Sequence, residues 1–90
     1  MRVSASSVPN QLAGAIAGVI RSGNNLTLRA VGASATNQAT KAIAIAAGYL
    51  EKDGIEIACL PRFVDIDIDG QTKTAIETDI WGKRGDPRLN

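Results

Sequence analysis

Ninety residues are enough for one small domain and too few for a second core, so the expectation is a single domain over residues 1–82 followed by a tail over 83–90. Ten basic against nine acidic groups leave a net charge of +1, which excludes a protein that coats DNA by charge alone and confines any nucleic-acid site to a local patch. An apolar share of 44% excludes disorder through most of the chain, and with Tyr49, Phe63 and Trp81 as the only aromatics the core must be filled by Ala, Val, Leu and Ile.

Arg2 to Ala5 reads as a short strand with Val3 and Ala5 inward. Ser6, Ser7 and Pro9 then make a helix start: either serine can cap free backbone amides, and proline fits a first turn, where its missing N–H costs nothing. The first helix should run from Pro9 to Ser22, with Leu12, Ile16, Val19 and Ile20 as its apolar stripe, and end at a left-handed Gly23. Gly14 and Gly18, in a second stripe with Ala13 and Ala17, should each cost roughly 1 kcal/mol relative to Ala, so close backbone approach is expected to compensate. Packing within the chain is the simpler form of that approach, and contact with another subunit the alternative.

At Gly32 the hydrophobic period changes from two to about 3.6, so a strand becomes a helix. Leu26, Leu28 and Ala30 alternate with Thr27, Arg29 and Val31 before it. After it Ala35, Ala39, Ala42, Ile43, Ala46 and Leu50 recur at helical spacing, and Asp53 and Gly54 close the helix. Ile55 to Leu60 is a third strand with Ile55, Ile57 and Cys59 on one face. Beyond Pro61 the apolar residues are Val64, Ile66 and Ile68, alternating with Asp65, Asp67 and Asp69. That change from odd to even implies a bulge or bend near Pro61 and Arg62. Asp69-Gly70 is a turn, and Thr72 to Trp81 returns with Thr74, Ile76, Thr78 and Ile80 on one face. A two-residue loop would pair Ile68 with Gln71 and Phe63 with Ile76 and misalign the faces, so an odd loop, Asp69-Gly70-Gln71, or a further bulge is expected. Gly82 to Asn90, with Lys83, Arg84, Asp86, Pro87 and Arg88, reads as a frayed tail.

The order β-α-β-α-β-β gives an α/β fold, a two-layer sandwich with both helices on one face of a four-stranded mixed sheet. Its two crossovers should make parallel neighbours and its hairpin an antiparallel edge. Arg2, Ser4, Thr27, Arg29, Val31, Glu56 and Ala58 would line the uncovered face.

Histidine is absent, which removes the usual general base and the commonest metal ligand, and no serine has an identifiable base beside it. No enzyme, cofactor or metal is expected. Asp65, Asp67 and Asp69 before Gly70 resemble the first half of a calcium loop, but its twelfth position, where a bidentate Glu is needed, is Ile76; a solvated strand face is the plainer reading. Gly32 to Lys41 has the place of a phosphate loop without its Gly-Lys-Ser/Thr, which leaves simple anion binding by Ser34, Thr36, Asn37 and Lys41 or ordinary capping. The setting of Cys59 suggests a buried thiol. One cysteine, no signal-peptide pattern and no apolar run near ~20 residues together give a cytoplasmic expectation with no membrane partner.

Four segments, Ser4-Ala-Ser-Ser-Val-Pro-Asn10, Leu12-Ala-Gly-Ala-Ile-Ala-Gly-Val-Ile20, Asn37-Gln-Ala-Thr-Lys-Ala-Ile-Ala-Ile-Ala46 and Asp65-Ile-Asp-Ile-Asp-Gly70, resemble the stage V sporulation protein S family from Val3 to about Ile80. The resemblance implies a small bacterial regulatory protein linked to sporulation, without catalytic activity, whose fold looks like that of the Alba chromatin proteins. Alba-like proteins bind DNA or RNA as dimers through the loop before the first helix, the start of the second helix and an extended hairpin. Carried over, those regions are Ser6, Ser7 and Asn10, then Ser34, Asn37, Gln38 and Lys41, then Arg62 to Lys73. Two departures stand out: the first loop has no Lys, and the hairpin carries three outward Asp that would repel phosphate.

The leading reading is a homodimer or homotetramer that binds nucleic acid through phosphate contacts by Arg29, Lys41 and Arg62, with polar help from Asn37 and Gln38. Its rival is a protein-interaction module that assembles through Val31, Ala58 and Trp81 or the glycine-rich helix, with the acidic hairpin recruiting a basic protein partner. A small anionic ligand at Gly32 to Asn37 is a third.

Overall fold

A computed structural model describes residues 1–84. Six elements follow in the expected order: β1 (Arg2–Val3), α1 (Pro9–Arg21), β2 (Leu26–Ala30), α2 (Ala33–Glu51), β3 (Ile55–Ile68) and β4 (Gln71–Arg84). They form the expected two-layer sandwich. Ala13, Ile16, Ala17 and Ile20 of α1 and Ala35, Ala39, Ala42, Ala46 and Leu50 of α2 meet Val3, Leu28, Ala30, Ile55 and Ile80 from one sheet face in a single core. Alanine lines both helices at the contact, so the backbones come close to the sheet, and Ile16, Leu28, Leu50 and Ile80 are the large side chains that the core buries fully.

The sheet order is β1-β2-β4-β3, which differs from the expectation. β1 and β2 are parallel neighbours, but β4 enters between β2 and β3 and pairs antiparallel with both. The second crossover therefore leaves a gap one strand wide, which the hairpin fills, and β3 becomes the edge. β4 also continues through Lys83 and Arg84, opposite Glu56 and Ile55, so the tail expected from residue 83 begins inside a strand. The rest of that tail, including Asp86, Pro87 and Arg88, lies outside the described residues.

Neither the bulge nor the odd loop is present. β3 and β4 pair without interruption from Ile55↔Arg84 to Ile68↔Gln71, with Phe63 opposite Ile76. Asp69 and Gly70 form a two-residue turn with φ of 50° and 77°, the positive pair that a type I′ turn requires and Asp-Gly supplies. The parity argument fails because its premise fails. Pairing with β2 ends at Ala30↔Ile76, and beyond it the hairpin is an arm in which Phe63 is 78% exposed. Ile55 and Ile57 face the helices, whereas Val64 and Ile66 turn to the opposite side of the sheet, where Ala75 across from Val64 is 1% exposed, so the two apolar sets serve opposite faces and no bulge is needed.

Smaller expectations also change. β1 ends at Val3, and Ala5 is exposed. Cys59 is exposed rather than buried: it lies on the edge strand, across from buried Ile80. A Cβ at Gly14 or Gly18 would meet nothing within 4 Å, so packing within the described residues does not compensate these glycines. Gly82 is the close approach instead: a Cβ there would lie 2.6 Å from Ile20 Cγ2.

Candidate nucleic-acid interface

Because β1 and β2 are parallel and each leads into a helix, the starts of α1 and α2 lie at the same end of the sheet. Gln38 Nε2 donates to the Ser7 carbonyl at 3.0 Å and ties the two starts together. At the far ends Arg21 of α1 reaches Asp53 after α2, its Nε 2.6 Å from Oδ2.

Neither start is capped by a side chain, and neither first turn contains an acid. Ser6 and Ser7 were expected to cap α1, but Val8 is the N-cap and Pro9 begins the helix. The serines lie too early and close a turn of their own. The Ser7 amide donates to the Ser4 carbonyl at 3.1 Å, the Ser4 amide donates to Ser7 Oγ at 2.9 Å, and Ser6 Oγ lies 3.0 Å from Ser4 Oγ. At α2, Gly32 adopts φ 88° as N-cap, and Thr36 returns its hydroxyl to the Gly32 carbonyl at 2.8 Å. Two helix starts side by side, with free amides and no carboxylate in their first turns, make a region of positive potential.

Ser34, Asn37 and Lys41 follow each other along one exposed side of α2, and Asn10 is exposed at the start of α1. Among the described residues Lys41 has no carboxylate within ion-pair distance.

The open sheet face is different. Arg29 on β2 stands across from Glu77 on β4, with Nη2 2.6 Å from Oε2. Arg62 on β3 reaches the other oxygen of Glu77 at 2.9 Å and also pairs with Asp79, which accepts a 2.7 Å hydrogen bond from Thr27 Oγ1. The bond from Arg29 is the main reason the Glu77 carboxyl sits below its ordinary range. The Thr27 hydroxyl and then Arg62 lower Asp79 in the same way, and Asp79 in turn raises Arg62. Two of the three expected phosphate-binding cations are therefore already held by carboxylates. Arg2 pairs in register with Arg29 and is exposed, with no carboxylate partner among the described residues.

A cleft of about 520 Å³ joins these regions. Its walls come from Ser4 and Ala5 before α1, Val31 and Ala35 at the start of α2, Ile66 to Asp69 at the hairpin tip, and Arg2 and Arg29 from the sheet. Segments next to the three regions named by the resemblance thus line one cleft with Arg29, and Asp67 and Asp69 are on its wall as well, whereas Ser6, Ser7, Asn10, Ser34, Asn37, Gln38, Lys41 and Arg62 are not. Sequence reasoning missed Arg2 as a member of this site, although its place opposite Arg29 follows from the parallel pairing. It also missed Glu77 and Asp79: the hairpin register sets them beside Arg62, and Glu77 becomes a partner of Arg29 only once β4 lies beside β2.

Asp65 and Asp67 face β4 threonines, accepting from Thr74 at 3.4 Å and Thr72 at 3.1 Å. Among the described residues no group of three metal-ligating side chains converges, and no helix is long and apolar enough to cross a membrane. The family model of Stage V sporulation protein S matches residues 1–83 of the chain.

Proposed function

The chain belongs to the stage V sporulation protein S family, whose members are sporulation-related regulatory proteins rather than a known enzyme family, and we propose that it regulates by binding nucleic acid through phosphate contacts as a dimer or higher oligomer. The observation that supports this most is the pair of acid-free helix starts beside the cleft that Arg2 and Arg29 line. A phosphate at the start of α2 would meet backbone amides with Ser34, Asn37 and Lys41 on the exposed side of that helix, while Arg2 and Arg29 line the cleft beside it together with Asp67 and Asp69. Such contacts carry no base information, so the proposed binding is tolerant of sequence and sensitive to salt.

The ion pairs of Arg29 and Arg62 favour one rival, a protein-interaction module whose acidic hairpin takes a basic partner. Fluorescence anisotropy of labelled duplex DNA and single-stranded RNA, at low and near-physiological salt, separates the two. Binding that weakens steeply with salt, and that Lys41→Glu impairs on every probe while reducing the salt slope by about 1, supports phosphate contact. Failure to bind either probe at low salt and tens of micromolar protein removes the nucleic-acid reading and leaves the partner reading.

A further inference from the structure

The cleft of about 520 Å³ carries opposite charges on two parts of its wall: Arg2 and Arg29 come from the sheet, and Asp67 and Asp69 from the hairpin tip. Its volume lies within the roughly 300–1,000 Å³ of small-molecule sites. No ion pair joins the two sets, although they share one cleft. Arg29 is already held by Glu77, and one oxygen of Asp67 accepts from Thr72. Arg2 and Asp69 are left, and among the described residues neither side chain has a hydrogen-bond or ion-pair partner. Apolar surface accompanies them, with Val31 38% and Ile68 39% exposed and Ile66 half-buried on the same wall. Lys73 stands across from Ile66 but is not part of that wall.

A bare anion does not fit this arrangement, because it would meet the two carboxylates as well as Arg2. The complement is a molecule with an anion at one end, hydrogen donors at the other and a flat apolar part between them. An unpaired nucleotide has that form. Its phosphate suits Arg2, its ring suits Val31, Ile66 and Ile68, and the Watson–Crick edge of its base suits the carboxylates. A carboxylate only accepts, so it also ranks the bases. Guanine presents N1–H and N2–H side by side, one for each oxygen of Asp69. Adenine and cytosine offer an amino group beside a ring nitrogen that repels the second oxygen, and uracil sets a single N–H between two carbonyls.

We propose that this cleft holds one unpaired guanine nucleotide, with its phosphate on Arg2 and its N1–H and N2–H on Asp69. A free nucleotide and a guanosine within a single strand share this chemistry; in a duplex the same edge is already paired. The phosphate contacts at the helix starts are blind to the base, so the cleft adds a selectivity they lack. Only the strand form rests on the nucleic-acid reading.

The test uses the full chain in two formats. Amide shifts of isotope-labelled protein follow titration with guanosine monophosphate, uridine monophosphate and ribose phosphate. Anisotropy follows labelled single-stranded uridine octamers with and without one central guanosine. Expected is a preference for guanine over uracil of about fivefold or more in at least one format, with shifts concentrated at Arg2, Ser4, Val31 and Ile66 to Asp69. Asp69→Asn keeps the turn, since Asn-Gly suits the same type I′ geometry, and should bring guanine and uracil probes to parity. Arg2→Ala should weaken both kinds of probe alike. A preference among mononucleotides alone identifies the free nucleotide as the ligand, and one among octamers alone identifies the strand. Ribose phosphate binding as tightly as guanosine monophosphate overturns the proposal. So does a guanine preference that survives Asp69→Asn, or no preference in either format. Salt-dependent octamer binding without that preference removes this site and leaves the phosphate contacts standing.

Discussion

Glu77 stands directly across the sheet from Arg29 and receives its guanidinium at 2.6 Å, while its second oxygen receives Arg62 at 2.9 Å. Both Glu77 and Asp79 are held below the ordinary carboxylate range, by Arg29 in the first case and by Thr27 and then Arg62 in the second. A carboxylate lowered in this way adds stability above its unfolded pKa and loses it as pH falls through the folded value. Urea midpoints should therefore hold steady from neutrality to about pH 5 and fall below about pH 4. Glu77→Gln should flatten part of that acid limb. A midpoint that rose between these two pH values would contradict the assignment.

The same carboxylate competes with phosphate for Arg29 and Arg62. Replacing it by Gln leaves a neutral acceptor and releases Arg29, while Arg62 stays paired with Asp79, so Glu77→Gln should tighten nucleic-acid binding through Arg29. Each additional phosphate contact should steepen the dependence of log K on log salt by about 0.9 for duplex DNA. Unchanged affinity and slope in this variant would mean that the open face does not meet phosphate, and would confine the contacts to the helix starts.

Gln38 was placed among the nucleic-acid contacts, yet its side-chain amide is committed to the Ser7 carbonyl. Gln38→Ala should cost about 0.5–1.5 kcal/mol in denaturant unfolding, the net value of one such bond. It should weaken binding only as far as it loosens the loop before α1. A large loss of affinity at unchanged stability would make Gln38 a direct contact instead.

The helices were legible in the sequence because each has one buried side. Ala35, Ala39, Ala42, Ala46 and Leu50 repeat at the helical period, and all five are buried. The hairpin was not, because the side its apolar residues cover changes along the strand: Ile55 and Ile57 face the helices, whereas Val64 and Ile66 share the other face with buried Ala75. The turn residues themselves carried the right answer: Asp69-Gly70 is the two-residue turn signal, and it overrode a parity argument borrowed from covered strands. The pairing of Arg29 and Arg62 with Glu77 and Asp79 was hidden for a different reason. The Arg62 half follows from the two-residue turn that the parity argument set aside, and the Arg29 half depends on β4 entering between β2 and β3, a non-local choice that no window of sequence contains.

Glycine provides the last prediction, because three positions of one residue type should answer the same replacement in opposite directions. A Cβ at Gly82 would stand 2.6 Å from Ile20 Cγ2 and 3.0 Å from Ile55 Cγ2. Both isoleucines are buried, Ile20 at 3% exposure and Ile55 at 4%, so neither can move aside freely. Gly82→Ala should therefore destabilise the fold by about 1–3 kcal/mol, as overpacking does, and lower Tm by roughly 4–8 °C for each of those kcal/mol. Gly14 and Gly18 lie in α1 with open space where a Cβ would go, so Ala there should stabilise by about 0.5–1 kcal/mol each through helix propensity alone. Thermal unfolding of the three single variants decides it. If Gly14→Ala or Gly18→Ala instead lowers Tm, the exposed side of α1 is covered in solution by another molecule, and the subunit contact first considered for these glycines returns as its explanation.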